Sequence, residues 1–101
     1  MTEGADLLRA AADRLTALAT RTTPGDWQVG GLLATRPEVI AHAAAGGTEH
    51  VAEARANTAA WIAALSPAVA GPLAAWLRDA AENDPSADAL AVARVLLDRL
   101  P

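Results

Sequence analysis

AAWIAALSPAVAGPLAAWL, residues 59–77, is the stretch whose reading decides the fold. It has no charged residue, a tryptophan near each end and two internal prolines. It sits within an uncharged run of 22 residues from Ala56 to Leu77, flanked by Arg55 and Arg78. As one continuous helix that run would extend about 33 Å, close to the apolar thickness of a bilayer. Trp61 and Trp76 would then stand where interfacial anchors stand. Three features oppose a span. Pro67 and Pro72 each follow a residue that breaks helices, Ser66 and Gly71. Asn57, Thr58 and Ser66 are polar, and most of the rest is alanine, which gains little from lipid. The apolar residues also change phase across Ser66-Pro67. The stretch therefore predicts two soluble helices meeting in a hairpin, with Trp61 and Trp76 helping to build the core. Each buried indole N–H would need a partner.

Working outward, the spacing predicts a helix over 48–65, with Val51, Ala54, Thr58, Trp61 and Leu65 on its apolar face. A second follows over 67–83, carrying Val69, Leu73, Trp76, Leu77 and Ala80, with a kink or restart expected at Gly71-Pro72. Asn83-Asp84-Pro85-Ser86 combines capping residues with a proline and opens a last helix over 86–100, striped by Leu90, Ala93, Leu97 and Leu100. At the other end, Leu8, Ala11, Leu15 and Leu18 mark one face of a helix over 3–21, which Thr2 or Asp6 could cap. Asp6, Arg9, Asp13 and Arg14 fall on its solvated side.

The segment between the first two helices has a different character. TTPGDWQVGGLLATRPEVIAHAAAGG holds five of the seven glycines and two of the six prolines. Trp27 alternates with Val29, and Val39 with Ala41, as strand residues do. Two short strands are expected, about 27–34 and 38–43, with Gly30-Gly31 at a bulge or bend. A lone two-stranded ribbon is marginal in water, so it must pack on a helix or pair with another chain along an open edge. The expectation is thus an α+β fold, predominantly helical: four helices and a short β-ribbon in one domain, 1–101, centred on a helical hairpin over 48–83.

Composition narrows the function. The chain is 52% hydrophobic, much of it alanine, with no Phe or Tyr, so the core should be thin and the helix backbones close. Such a small core gains from a partner or a dimer. The net charge of −4 supplies no basic stripe, so nucleic acid is not expected as a partner. Without cysteine there is no disulfide, thiolate metal site or cysteine nucleophile. The opening MTEGADLLRAAADRL is not expected to act as a secretory signal, which leaves the cytoplasm as the default compartment.

The chain resembles a set of small proteins encoded by actinobacteria and their phages, akin to the early-region accessory proteins of temperate phages. The likeness rests on LRAAADRLTALA at 8–19, TPGDW at 23–27, AAWIAALSPAVAGPLAAWL at 59–77 and ALAVARVLLDRL at 89–100. In such proteins a Thr-Pro-Gly-x-Trp turn leads into a short ribbon, and an Ile-Ala-Ala-x-x-Pro helix boundary follows. The resemblance implies an accessory role on a mobile element. It implies no established activity, catalytic residue or cofactor.

The reactive inventory is short. Ser66 and Ser86, the only serines, both adjoin prolines at predicted helix starts and read as caps. No G-x-S-x-G elbow, P-loop or G-x-G-x-x-G pattern occurs. Glu49, His50 and Glu53, placed in the first turn of a helix, could share a face, with His42 at the end of the second strand. Two imidazoles and a carboxylate, His42, His50 and Glu53, could bind Zn²⁺ or Fe²⁺. An acidic first turn favoured by the helix dipole explains the same residues more simply, so no metal or other cofactor is expected. Trp27 is a core plug or an exposed aromatic anchor. Asp79, Glu82, Asp84 and Asp88 form an acidic patch that reads as solvation and capping.

The leading expectation is a small, non-enzymatic, cytoplasmic interaction protein, homodimeric, acting by steric occlusion of a protein partner. The partner-binding residues expected are Trp27, Leu33, Val39 and Ile40 on the ribbon. Two alternatives stand beside it: a metal-binding protein or metal-dependent hydrolase using His42, His50 and Glu53, and a membrane-associated accessory acting through 56–77.

Overall fold

The computed structural model describes residues 2–31 and 36–101. The fold is α+β and predominantly helical, as expected. Among the described residues helical structure occupies three stretches. The first is α1, Thr2–Thr20. The second divides into α2, Ala56–Ala64, a 3₁₀ turn over Pro67–Val69, and α3, Ala70–Asn83. The third is α4, Ala87–Arg99. Between α1 and α2 lie three strands, β1 (Asp26–Gly30), β2 (Glu38–His42) and β3 (Thr48–Glu53). The contacts gather into two compact units, one of residues 1–21 and 70–101, the other of residues 22–69.

In the first unit α1 packs against α3 and α4. Among the described residues Leu8 and Leu77 are its only large side chains with no exposure, and the rest of the buried core is alanine: Ala5, Ala11, Ala12, Ala74, Ala80, Ala81, Ala89 and Ala93. Leu73, Leu90, Val92, Leu96 and Leu97 close over this centre, half-buried. Of the stripes read from the spacing, Leu8 and Ala11 of α1 and Leu90, Ala93 and Leu97 of α4 face this core, whereas Leu15, Leu18 and Leu100 are half-buried outside it. α4 begins where Ser86 accepts a hydrogen bond from the Ala89 N–H at 3.2 Å, a side-chain N-cap. Arg78 reaches Asp13 at 3.1 Å across the exposed side of the α1–α3 pair.

The kink or restart expected at Gly71-Pro72 is a restart, one residue earlier. α3 begins at Ala70, so Pro72 lies in the first turn, where a helix has no use for the N–H that proline lacks. Ser66 caps as expected, but it caps the 3₁₀ turn: its Oγ accepts from the Ala68 N–H at 3.3 Å.

The second unit departs from the sequence reading. The ribbon is a three-stranded antiparallel sheet in the order β1-β2-β3, because residues 48–53 are a strand and not the start of a helix. The helical hairpin expected over 48–83 is not borne out: α2 packs on β1 and β2 while α3 packs on α1, and helix begins only at Ala56. The cause is the turn at Ala43–Gly47. Gly46 N–H donates to the Ala43 carbonyl, Ala43 N–H donates to the Gly47 carbonyl, and Gly46 takes φ +103°. A three-residue loop ending on a left-handed glycine returns the chain as a β-hairpin. Thr48 and Val51, β-branched, then suit a strand.

The register is explicit. Trp27 opposes Ala41 and Val29 opposes Val39 across β1–β2. On the other side Ala41 opposes Glu49 and Val39 opposes Ala52. Ile40 opposes His50, so Val51 is the extra residue of a bulge on β3. The bulge thus falls on β3, whereas Gly30-Gly31 simply end β1, Gly31 leaving it at φ +73°. Val39 and Ala41 are buried in the sheet, and α2 lies against β1 and β2 with Ala59 fully enclosed.

Candidate functional site

Chemistry in residues 22–69 is confined to the sheet and its margins. Because β3 is a strand, Glu49 and His50 alternate across it, so the face expected to hold Glu49, His50 and Glu53 together does not form. Glu49 accepts a hydrogen bond from the Thr23 hydroxyl at 2.9 Å. His50 turns to the other face, its Nδ1 lying 3.5 Å from a Glu38 carboxylate oxygen. Glu53 pairs with Arg36 at 3.6 Å, and His42 lies exposed at the far end of β2, opposite Thr48. Among the described residues no three ligand-type side chains come together to hold a metal ion. The first-turn dipole explanation of these acids fails with the helix that carried it.

A cleft of about 460 Å³ opens where β2 begins and β3 ends, lined by Arg36, Pro37, Glu53, Ala54 and Arg55. Arg36 and Arg55 are the only cations in residues 22–69, and Glu53 already neutralises part of their charge. Ser66 and Ser86 are both engaged as caps. Neither is paired with a histidine as a nucleophile requires. The acidic residues Asp79, Glu82, Asp84 and Asp88 are all exposed, Asp79 accepting from the Asn83 amide at 2.8 Å.

The residues expected to meet a partner separate on inspection. Trp27 is half-buried, its indole N–H donating to the Thr23 carbonyl at 3.0 Å, so it closes the Thr23–Gly25 turn onto β1. Val39 has no exposure and is corrected from contact residue to core residue. Ile40, on the opposite face, is half-buried and leans over Gly30, where an added Cβ would come within 2.8 Å of its Cδ1. Leu33 lies outside the described residues.

Other large apolar side chains among the described residues are more exposed. Trp61 is 68% exposed and Leu65 53%, four residues apart at the end of α2, and Ala60, Ala64 and Ala68 around them are exposed and uncharged. The expectation that Trp61 and Trp76 build the core is overturned: Trp76 is also largely exposed, and alanines take the inward positions. Close helix packing demands small residues, so the indoles are excluded from it. Sequence periodicity could not have separated these cases, since a bulky residue and alanine both count as apolar. The stretch Ala56–Asn83 is long and apolar enough to cross a membrane by length and composition, with mean hydropathy 1.5 over its best window and 22% of that window buried.

The chain matches no protein-family model, no curated protein and no solved structure. What the fold and its surface define is a small α+β protein with a sheet-bearing unit and an uncharged, aromatic helix face.

Proposed function

We propose that this chain is a non-enzymatic interaction protein that binds a protein partner through the outer face of α2 and acts by occluding the partner's surface. The exposure of Trp61 and Leu65 one turn apart on an uncharged helix carries the reading. Large aromatic side chains are the commonest energetic anchors of protein interfaces, because they bury much area with few rotatable bonds. Scattered single apolar residues on a surface need no explanation, but a tryptophan and a leucine ringed by alanine form a patch. Trp27 and Ile40, both half-buried, remain secondary candidates at the sheet. A cytoplasmic setting on a mobile element accords with the sequence resemblance, and nothing in the site calls for a cofactor.

The test is affinity capture from the producing cell with wild type and with a Trp61→Ser/Leu65→Asp double variant. Both side chains are exposed, so the variant should keep its far-ultraviolet circular dichroism. A stoichiometric partner present with wild type and lost with the folded variant supports the proposal; a partner retained by the folded variant overturns it. The length and hydropathy of 56–83 favour one competing reading, a membrane-associated accessory. Flotation of the purified protein with phospholipid vesicles, abolished in the same variant, would establish that reading instead.

A further inference from the structure

We propose that the outer edge of β1 is a self-association surface, on which a second copy of this chain adds its own β1 antiparallel to make one continuous six-stranded sheet. The two edges of the sheet differ. β3 is protected as natural edges are: it carries the Val51 bulge, and Glu49 and Glu53 give it charge. β1, DWQVG, carries a single charge, Asp26 at its first position, and has no proline, no lysine and no bulge, and all five of its residues run in unbroken register with β2. Among the described residues no backbone hydrogen bond reaches β1 from its outer side. A flat, unprotected edge with unpaired N–H and C=O groups is a template for another strand.

The sequence of β1 is self-complementary about its middle residue. A two-fold axis through Gln28 pairs all five residues of the strand with those of its copy. Asp26 then opposes Gly30, Trp27 opposes Val29, and Gln28 meets itself. No like charges face each other, and the aromatic ring meets a β-branched side chain, a favourable cross-strand pair. The same pairing covers Val29, 42% exposed in the single chain although it shares a face with buried Val39. A closed isologous contact of this kind stops at two copies. α2 lies against β1, so the axis brings both α2 helices to the same side of the joined sheet. This inference rests on the edge and its register, and it holds or fails apart from the proposed partner face.

The absence of cysteine supplies the experiment. In Gln28→Cys the two new thiols meet at the axis, and in Thr48→Cys the thiol sits on the opposite edge of the sheet. Under mild oxidation Gln28→Cys should form covalent dimer about tenfold faster or more, because groups held at a shared axis have a high effective concentration. Wild type should sediment as a dimer of the 10.3 kDa chain, and Val29→Lys, with native circular dichroism, as a monomer. Equal cross-linking of the two cysteine variants overturns the proposal. So does a wild type that stays monomeric at about 100 µM, a concentration that populates even small, weak interfaces. A folded Val29→Lys that remains dimeric overturns it too. Should Val29→Lys fail to fold, the cysteine pair and the wild-type sedimentation decide alone.

Discussion

Leu77→Ala is the sharpest perturbation of the helical unit. Among the described residues Leu77 and Leu8 are the two large side chains with no exposure there, and everything else buried with them is alanine. Truncation removes three carbons from a site whose walls are methyl groups fixed to helix backbones. The buried alanines cannot move into the space, and the leucines that pack against this core, such as Leu73 and Leu97, are only half-buried at its rim, so most of the cavity stays open. Buried Leu→Ala changes range over about 2.7–5 kcal/mol, rising with the cavity left behind. The upper half of that range, about 4 kcal/mol, is expected here. Set against the ~5–15 kcal/mol that stabilises a domain, the loss is a large fraction of the whole. In urea denaturation followed at 222 nm, with a slope of about 1.5 kcal/mol per molar, the midpoint of the helical transition should fall by roughly 2–3 M. Val95→Ala, on the exposed side of α4, is the control and should move the midpoint little. A loss under about 1 kcal/mol for Leu77→Ala would refute the reasoning, since it would mean the alanine walls close in on the vacancy.

Two further substitutions test local features of the fold. Ser86→Ala removes the side-chain cap of α4 and should cost about 1 kcal/mol in the same denaturation; no measurable change would show that solvent caps α4 equally well. Gly25 and Gly46 both have positive φ, +110° and +103°, but a Cβ at Gly25 would lie 2.7 Å from the His42 carbonyl oxygen while one at Gly46 meets nothing within 4 Å. Gly46→Ala should therefore cost only the conformational strain, about 1–2 kcal/mol, and Gly25→Ala clearly more, seen as a larger drop in the thermal midpoint of the sheet; equal losses would contradict the close approach.

The helical unit was largely legible in the sequence. Its signals are period and punctuation: Leu8, Ala11, Ala93 and Leu97 recur at helical spacing, and Ser86 after proline marks a start. The sheet was legible only in its first two strands. TEHVAE at 48–53 reads as helix because Val51 and Ala54 extend the helical spacing of Trp61 and Leu65, although both of those are exposed and Ala59 is the buried residue of α2. The competing signal was present in AHAAAGGTEHV, two glycines between short strand-like runs, and the hairpin geometry of Gly46 prevails over helical spacing. The metal hypothesis fails on separation: His50 lies beside Glu38 and Glu53 beside Arg36, and among the described residues His42, His50 and Glu53 do not come together. The tryptophans were misplaced for another reason. Hydropathy treats Trp61 and Ala59 as equivalent, whereas close packing admits only the smaller.

The exposure of Trp61 is the claim on which the proposed function stands, and it can be measured alone. With Trp27 and Trp76 replaced by phenylalanine, the remaining indole reports only on α2. The account predicts emission at the water-exposed limit and free quenching by acrylamide in the folded protein. A blue-shifted, quencher-protected Trp61 in a protein of native circular dichroism would contradict it, because the face proposed for a partner would then already be covered.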